Sequence, residues 1–255
     1  MKEIILVTVL VVVLVSLVGC LVGCTSGTAT FGETKTYDVA SKIKSLDIRI
    51  GAADFTIVHG DKFSVESNLK NLTVTDEDGV LKVVEKTRNT VNYMDAKLKV
   101  CIPENMVFEN VSIKTGAAKL TAQSISADSV DLKLGAGQVQ FDNIEAKENI
   151  SIKGGAGQIS VLDGDLNNLN LELGVGQFDM TAKLVGESNL KFGVGESALT
   201  LKGSKDDYRF DIKNGVGAIT IDGNKSAAFV SNGGDGENLV KINGGVGATD
   251  ITFEQ

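Results

Sequence analysis

The chain has no tryptophan, a single proline (Pro103), a single histidine (His59) and three cysteines (Cys20, Cys24 and Cys101). Each shortage removes a class of function. Zinc sites of the usual Cys/His composition take three or four such ligands, and with Cys20 and Cys24 at the N-terminal apolar run the rest of the chain offers only His59 and Cys101. A Ser-His-Asp arrangement would have to be built on His59, which sits in Val58-His59-Gly60-Asp61 and reads as a polar turn between two strands. Walker, HExxH and EF-hand patterns are missing. Three tyrosines and ten phenylalanines are too few for platforms that stack single-stranded nucleic acid. A formal net charge of −8 repels phosphate backbones. The expectation is therefore a chain that is not an enzyme, with no catalytic residue, cofactor, metal or nucleic-acid partner. One proline among 29 glycines excludes collagen-like and Pro-rich chains, and 42% hydrophobic content excludes a disordered one.

The first strong positive signal is at the N-terminus. Residues Ile4 to Val22 form an uncharged apolar run behind Met1-Lys2-Glu3. At 1.5 Å per residue such a run spans ~28 Å as a helix, near the hydrocarbon thickness of a bilayer. It reads either as a transmembrane anchor or as a secretory signal with a short positive start. The sequence Leu-Val-Gly-Cys occurs twice, ending at Cys20 and at Cys24. It resembles the bacterial lipobox, whose cysteine is diacylated and becomes the mature N-terminus. Thr-Ser-Gly follows Cys24 whereas Leu-Val follows Cys20, so Cys24 is the candidate lipidation site and Cys20 the alternative. The expectation is a signal over 1–23, a small polar tether over 24–34, and a body on the outer face of the cytoplasmic membrane. A single N-terminal transmembrane anchor and an ordinary cleaved signal are the competing readings. Cys101, in the alternating Lys97–Ile102 segment, has no thiol left to pair with and reads as a small strand residue.

Internal repetition dominates the rest. A Gly-x-Gly step between two alternating strands recurs at Gly116 (as Gly-Ala-Ala), Gly135, Gly155, Gly174, Gly193, Gly215 and Gly245, with spacings of 19, 20, 19, 19, 22 and 30 residues. A further copy, Gly51-Ala52-Ala53, stands apart near the start. Repeats of this length mean a solenoid. In Val130-Asp131-Leu132-Lys133-Leu134 the apolar residues alternate, and Val139 and Phe141 continue the pattern beyond the step. Period two means strands with one buried face. Nineteen residues make two short strands and two turns, one flattened coil. Stacked coils pair in parallel, and the middle residue of each step, Ala early and Val from Val175 onward, forms a column at the corner. The predicted fold is an all-β, single-stranded parallel β-helix or β-solenoid, with its repeat ladder over 106–255.

Residues 35–105 read as a β cap continuous with the ladder. Leu72–Thr75 and Val80–Val83 flank Asp76-Glu77-Asp78-Gly79, a hairpin signal because Asp-Gly supplies positive φ. A cap is required because an open solenoid end is an aggregation-prone edge.

The Gly51 strand pair, the Asp78-Gly79 hairpin, Val100-Cys101-Ile102-Pro103 and the glycine ladder together resemble the putative-adhesin domain of bacterial envelope proteins. That domain is part of the toastrack-like, LiaG-like group, which is largely of unknown function. The resemblance covers roughly Thr36 to Gln255. It implies a β-helix displayed from a membrane anchor, sometimes beside envelope-stress systems. Where such domains often carry Gly-Ser-Gly-Asp at the step, this chain has Gln138, Gln158, Gln177, Glu196 or Ala218 in the last place.

Two features bear on function. Two residues before each first glycine stand Lys114, Lys133, Lys153, Glu172, Lys191, Lys213 and Asn243, with Arg49 at the isolated copy. Stacking turns these into an outward stripe that could hold an anionic wall polymer, or a solvated face neutralised by neighbours such as Asp131 and Asp211. Gly233-Gly234-Asp235-Gly236-Glu237-Asn238-Leu239 imitates a calcium-binding nonapeptide, but those sites need consecutive copies, and one copy reads as a plain loop. The leading expectation is a non-catalytic envelope surface protein, adhesin-like or scaffolding. The alternative is an accessory of an envelope-stress or antibiotic-response system acting by contact with an envelope protein. A pectate-lyase-type enzyme is a distant third, because such helices need a longer cleft.

Overall fold

A computed structural model describes residues 31–39, 42–86, 95–225, 229–233 and 236–255. Ile4 to Val22, Cys20, Cys24, Gly234 and Asp235 lie outside the described residues. No helix among the described residues is long and apolar enough to cross a membrane.

The alternating pattern becomes strand, as its period demands. Leu132 and Phe141 are fully buried and Val139 nearly so, whereas Gln138 and Gln140 between them are exposed. Extended backbone runs from Val107 to Val161 without interruption, passing through the Gly116, Gly135 and Gly155 steps. From Val107 to Lys202 each coil pairs in parallel with the next: Leu169, Leu171, Phe178 and Met180 lie opposite Ile150, Ile152, Ile159 and Val161. The fold is an all-β parallel β-solenoid.

Stacking converts one sequence place into one core column. Three residues before each first glycine stand Ile48, Ile113, Leu132, Ile152, Leu171, Leu190, Ile242 and Ile212, all sealed from solvent. Burying a side chain of this size contributes about 1.5–3 kcal/mol, so the column supplies a large share of the driving force. Rings close both ends of the core. Phe63 and Phe108 meet with centroids 6.3 Å apart near the N-terminal end. Tyr208, Phe210 and Phe253 form a cluster near the other.

The glycines of the step have two different causes. A Cβ on Gly135 would collide with the carbonyl oxygen of Gly116 in the next coil, so close backbone approach excludes a side chain there. Gly137 has φ of +124° and meets the Ala118 carbonyl as well, so conformation and crowding both select glycine.

Spatial order departs from chain order at both ends. Asn238–Asn243 pairs with Glu187–Lys191 on one side and Tyr208–Lys213 on the other. Val246–Glu254 likewise lies between Val194–Lys202 and Val216–Ile221. The last coil of the chain is therefore the second from the end of the stack. The N-terminal end mirrors this. Ser45–Ile50 lies between Val80–Glu85 and residues 110–115, and Asp54–Gly60 between Lys97–Pro103 and residues 119–122. The Gly51 step, remote in sequence, thus stacks directly on the Gly116 coil, and the Gly51 carbonyl accepts from the Ala117 amide at 2.7 Å.

Antiparallel strands then close the outermost coils. Leu72–Glu77 returns as a hairpin on Val80–Glu85, through Asp78 and Gly79 at φ of 53° and 75°, the paired positive values of a tight I′ turn. Ser64–Leu69 covers Lys97–Pro103 and is itself covered by Phe31–Asp38, a strand that takes in the last residues of the expected tether. At the far end Phe229–Gly233 pairs antiparallel with Tyr208–Lys213, and Asn224–Lys225 with Val216–Ile221. A parallel-stacking partner meets reversed strands at either end, which blunts end-to-end growth.

Candidate functional site

The basic column is assembled as a continuous row, in an order the chain does not reveal. Register places Arg49 beside Lys114, Glu172 between Lys153 and Lys191, and Asn243 between Lys191 and Lys213. Lys133 joins Lys114 to Lys153, since the Gly135 step packs on Gly116 and the Gly155 step on Gly135. Coils follow one another at ~4.8 Å, so successive cations are close enough to interact.

Neutralisation is partial. Arg49 pairs with Asp47 on its own strand at 2.7 Å, and Lys133 pairs with Asp131 in the same way at 2.9 Å. Lys153 reaches Glu172 of the next coil at 3.3 Å. Lys114, Lys191 and Lys213 make no ion pair among the described residues. Asp211, considered as a partner for Lys213, lies opposite Lys241 in the register. Lys241 itself pairs with Glu187 at 2.5 Å, and that hydrogen bond, helped by Asn189, holds the Glu187 carboxyl below its ordinary pKa. Lys202 pairs with Asp163, whose carboxylate raises the ammonium above its usual value.

The corner beside this row is apolar. Val175, Val194, Val246 and Val216 stack in that order, each about half exposed or more, between two columns of glycine. The middle-residue column expected from the repeat is present, and it faces solvent because interior space at the corner is taken by closely approaching backbones.

The remaining residues singled out in the sequence lie elsewhere. Cys101 is a half-buried free thiol in the Lys97–Pro103 strand. His59 is the penultimate residue of the Asp54–Gly60 strand and lies with Nε2 3.2 Å from the Ser124 carbonyl oxygen. No group of three or more His, Cys, Asp or Glu among the described residues could hold a metal. One feature escaped sequence reasoning. A hollow opens beside His59, between the turn after Pro103 and the edges of two neighbouring coils. Its lining residues are far apart in the chain, so no local motif marks it.

A parallel β-solenoid with capped ends, outward ladders in register and a half-neutralised basic row defines a β-repeat protein. The chain belongs to the Toastrack DUF4097 family, which it matches over residues 64–252. No curated protein matches it. Among solved structures it is similar to a putative adhesin from Bacteroides fragilis, at 12% identity over 88% of this chain and 100% of that one, with a TM-score of 0.42. A putative cell adhesion protein from Clostridium sporogenes aligns at 13% identity over 87% and 99% of the two chains, with a TM-score of 0.38. A putative adhesin from Parabacteroides distasonis aligns at 10% identity over 89% and 98%, with a TM-score of 0.34.

Proposed function

We propose that this chain is a non-catalytic cell-envelope protein, adhesin-like or scaffolding, tethered through its N-terminus and engaging an anionic wall polymer through the lysine row. The observation that carries the reading is the uncompensated charge of Lys114, Lys191 and Lys213 within a column of otherwise paired cations, on a chain whose net charge is −8. A linear polyanion laid along the stack meets cations in one row. Each contact is weak, and the row adds avidity. The tether supports the same reading, because a lipid at Cys24 or a helix over Ile4–Val22 keeps the solenoid beside the wall.

Retention on purified cell wall, measured at low and high salt, tests the proposal. The wild-type chain should be retained at low salt and released at high salt, because exposed charges are screened over ~8 Å at physiological ionic strength. A variant with Lys114→Gln, Lys191→Gln and Lys213→Gln should be retained far less at low salt. Equal retention of the two proteins, or retention indifferent to salt, overturns it.

A further inference from the structure

The hollow beside His59 has a volume of about 490 Å³, within the usual range for small-ligand sites. It exists because the stack changes shape at this edge. The Lys97–Pro103 strand ends with Pro103 opposite Gly60, and the chain reverses through Asn105, at φ of +57°, before Val107 starts the long extended run. That turn stands off the edges of the Gly116 and Gly135 coils, leaving a trough between them.

The chemistry of the trough is one-sided. Glu104 on the turn and Glu145 on the Gly135 coil both line it, and no lysine or arginine does. Neither carboxylate makes an ion pair among the described residues. Glu145 is half-buried and receives a single side-chain hydrogen bond, from Ser126 Oγ at 3.1 Å. An ionised carboxylate accepts up to about four hydrogen bonds, and Glu145 turns its carboxylate to the open trough with no ion pair there, so a cationic donor entering the trough meets an uncompensated acceptor. Asn143 adds an amide able both to donate and to accept. Met106 and Val107 add an apolar patch, with Val107 44% exposed.

We propose that this trough binds a saccharide carrying a free amine. The ammonium pairs with Glu145 and Glu104 by charge-assisted hydrogen bonds. Ring hydroxyls exchange hydrogen bonds with Asn143 and Ser126, and the apolar face of the ring lies on Met106 and Val107. The site has the opposite charge to the lysine row and does not depend on the polyanion reading.

The test is calorimetric titration of the full chain in lipid nanodiscs with a glucosamine trimer, its N-acetylated counterpart serving as the neutral probe. The free-amine trimer should bind saturably, and the N-acetylated one should bind at least about ten-fold more weakly. Glu145→Gln keeps the acceptor for Ser126 and removes the charge. It should weaken free-amine binding about ten-fold, and Glu104→Gln, on the exposed turn, should weaken it in the same direction. An unchanged thermal midpoint verifies that both variants are folded. Lys191→Gln should bind the trimer like wild type, which separates this site from the wall-binding row. Absence of saturable binding, equal affinity for the two trimers, or wild-type affinity in both glutamate variants overturns the proposal.

Discussion

Lys241 reaches back 54 residues to donate a 2.5 Å hydrogen bond to Glu187. The pair is exposed and adds little to stability by itself. Its meaning is positional, because it ties the last coil of the chain to the coil that precedes it in space, with the earlier Tyr208–Ile221 coil lying outside both.

Deleting residues 238–255 should therefore do more than shorten the stack. Glu187–Lys202 keeps its pairing with Leu169–Val185 but loses the strands on its other side, Tyr208–Ile221 loses its parallel partner, and the cluster of Tyr208 and Phe210 loses Phe253. The expected outcome is loss of amide protection throughout residues 208–225, partial loss along the freed edge of residues 187–202, and aggregation through that edge. Hydrogen exchange and light scattering measure both. Protection retained over 208–221 in the truncated chain would contradict the intercalated order.

Phe141 is sealed inside the Gly135 coil. Phe141→Ala should cost about 3–5 kcal/mol, the usual range for removing a buried ring from a core that cannot fully collapse. Denaturant titration gives the value. Gln140→Ala next to it, on the exposed face, should fall within about 0.5 kcal/mol of wild type.

Gly137→Ala places a side chain at φ of +124° and against the Ala118 carbonyl. The substitution should destabilise by about 1–3 kcal/mol or more, since strained backbone and overpacking each cost that much. Ala136→Gly, at the exposed middle place of the same step, should cost less. The comparison of thermal midpoints separates a requirement for glycine from a general intolerance of the corner.

Tyr208 is buried, and its hydroxyl donates to the Lys202 carbonyl at 2.6 Å. Burial raises its pKa above the ordinary 10.0. A group whose folded pKa exceeds its unfolded one stabilises the fold fully below the unfolded value, and that contribution is lost as pH rises through the folded value. Stability should thus fall above about pH 10. Tyr208→Phe should cost about 1–3 kcal/mol at neutral pH by leaving the carbonyl without its donor, and should flatten the alkaline decline. Denaturation at neutral and alkaline pH, with ultraviolet titration of the phenol, measures both effects.

Anchoring is tested by metabolic lipid labelling. Cys24→Ser should abolish the label and leave an uncleaved precursor, whereas Cys20→Ser should keep it. Persistent labelling of the Cys24 variant would transfer the site to Cys20.

Most of the solenoid was legible in the chain because its information is local. Alternation at Val130–Leu134 specifies which side chains enter the core, and glycine spacing specifies coil length, since both depend only on neighbours a few residues away. The Asp78-Gly79 turn is readable for the same reason. The lysine column could be listed from the sequence, but its order and its neutralisation could not. Whether Lys153 finds Glu172 and whether Lys213 finds Asp211 depend on which coils touch and on how each side chain turns.

What the sequence alone determined is the unit: strand, glycine corner, strand, with a buried aliphatic column and an outward basic one. What only the tertiary structure decided is the order of the units and everything that order places together. A parallel strand takes its register from hydrogen bonds to whichever strand lies beside it, and repeats with the same pattern are nearly equivalent partners. The 30-residue spacing before Gly245 and the long excursion after Gly51 let the chain pass over an end and return, so Asn243 settles between Lys191 and Lys213 and Gly51 against Gly116. The trough at His59, Glu104 and Glu145 follows from the same cause, because it forms where an outermost coil turns back over coils that precede and follow it in the chain.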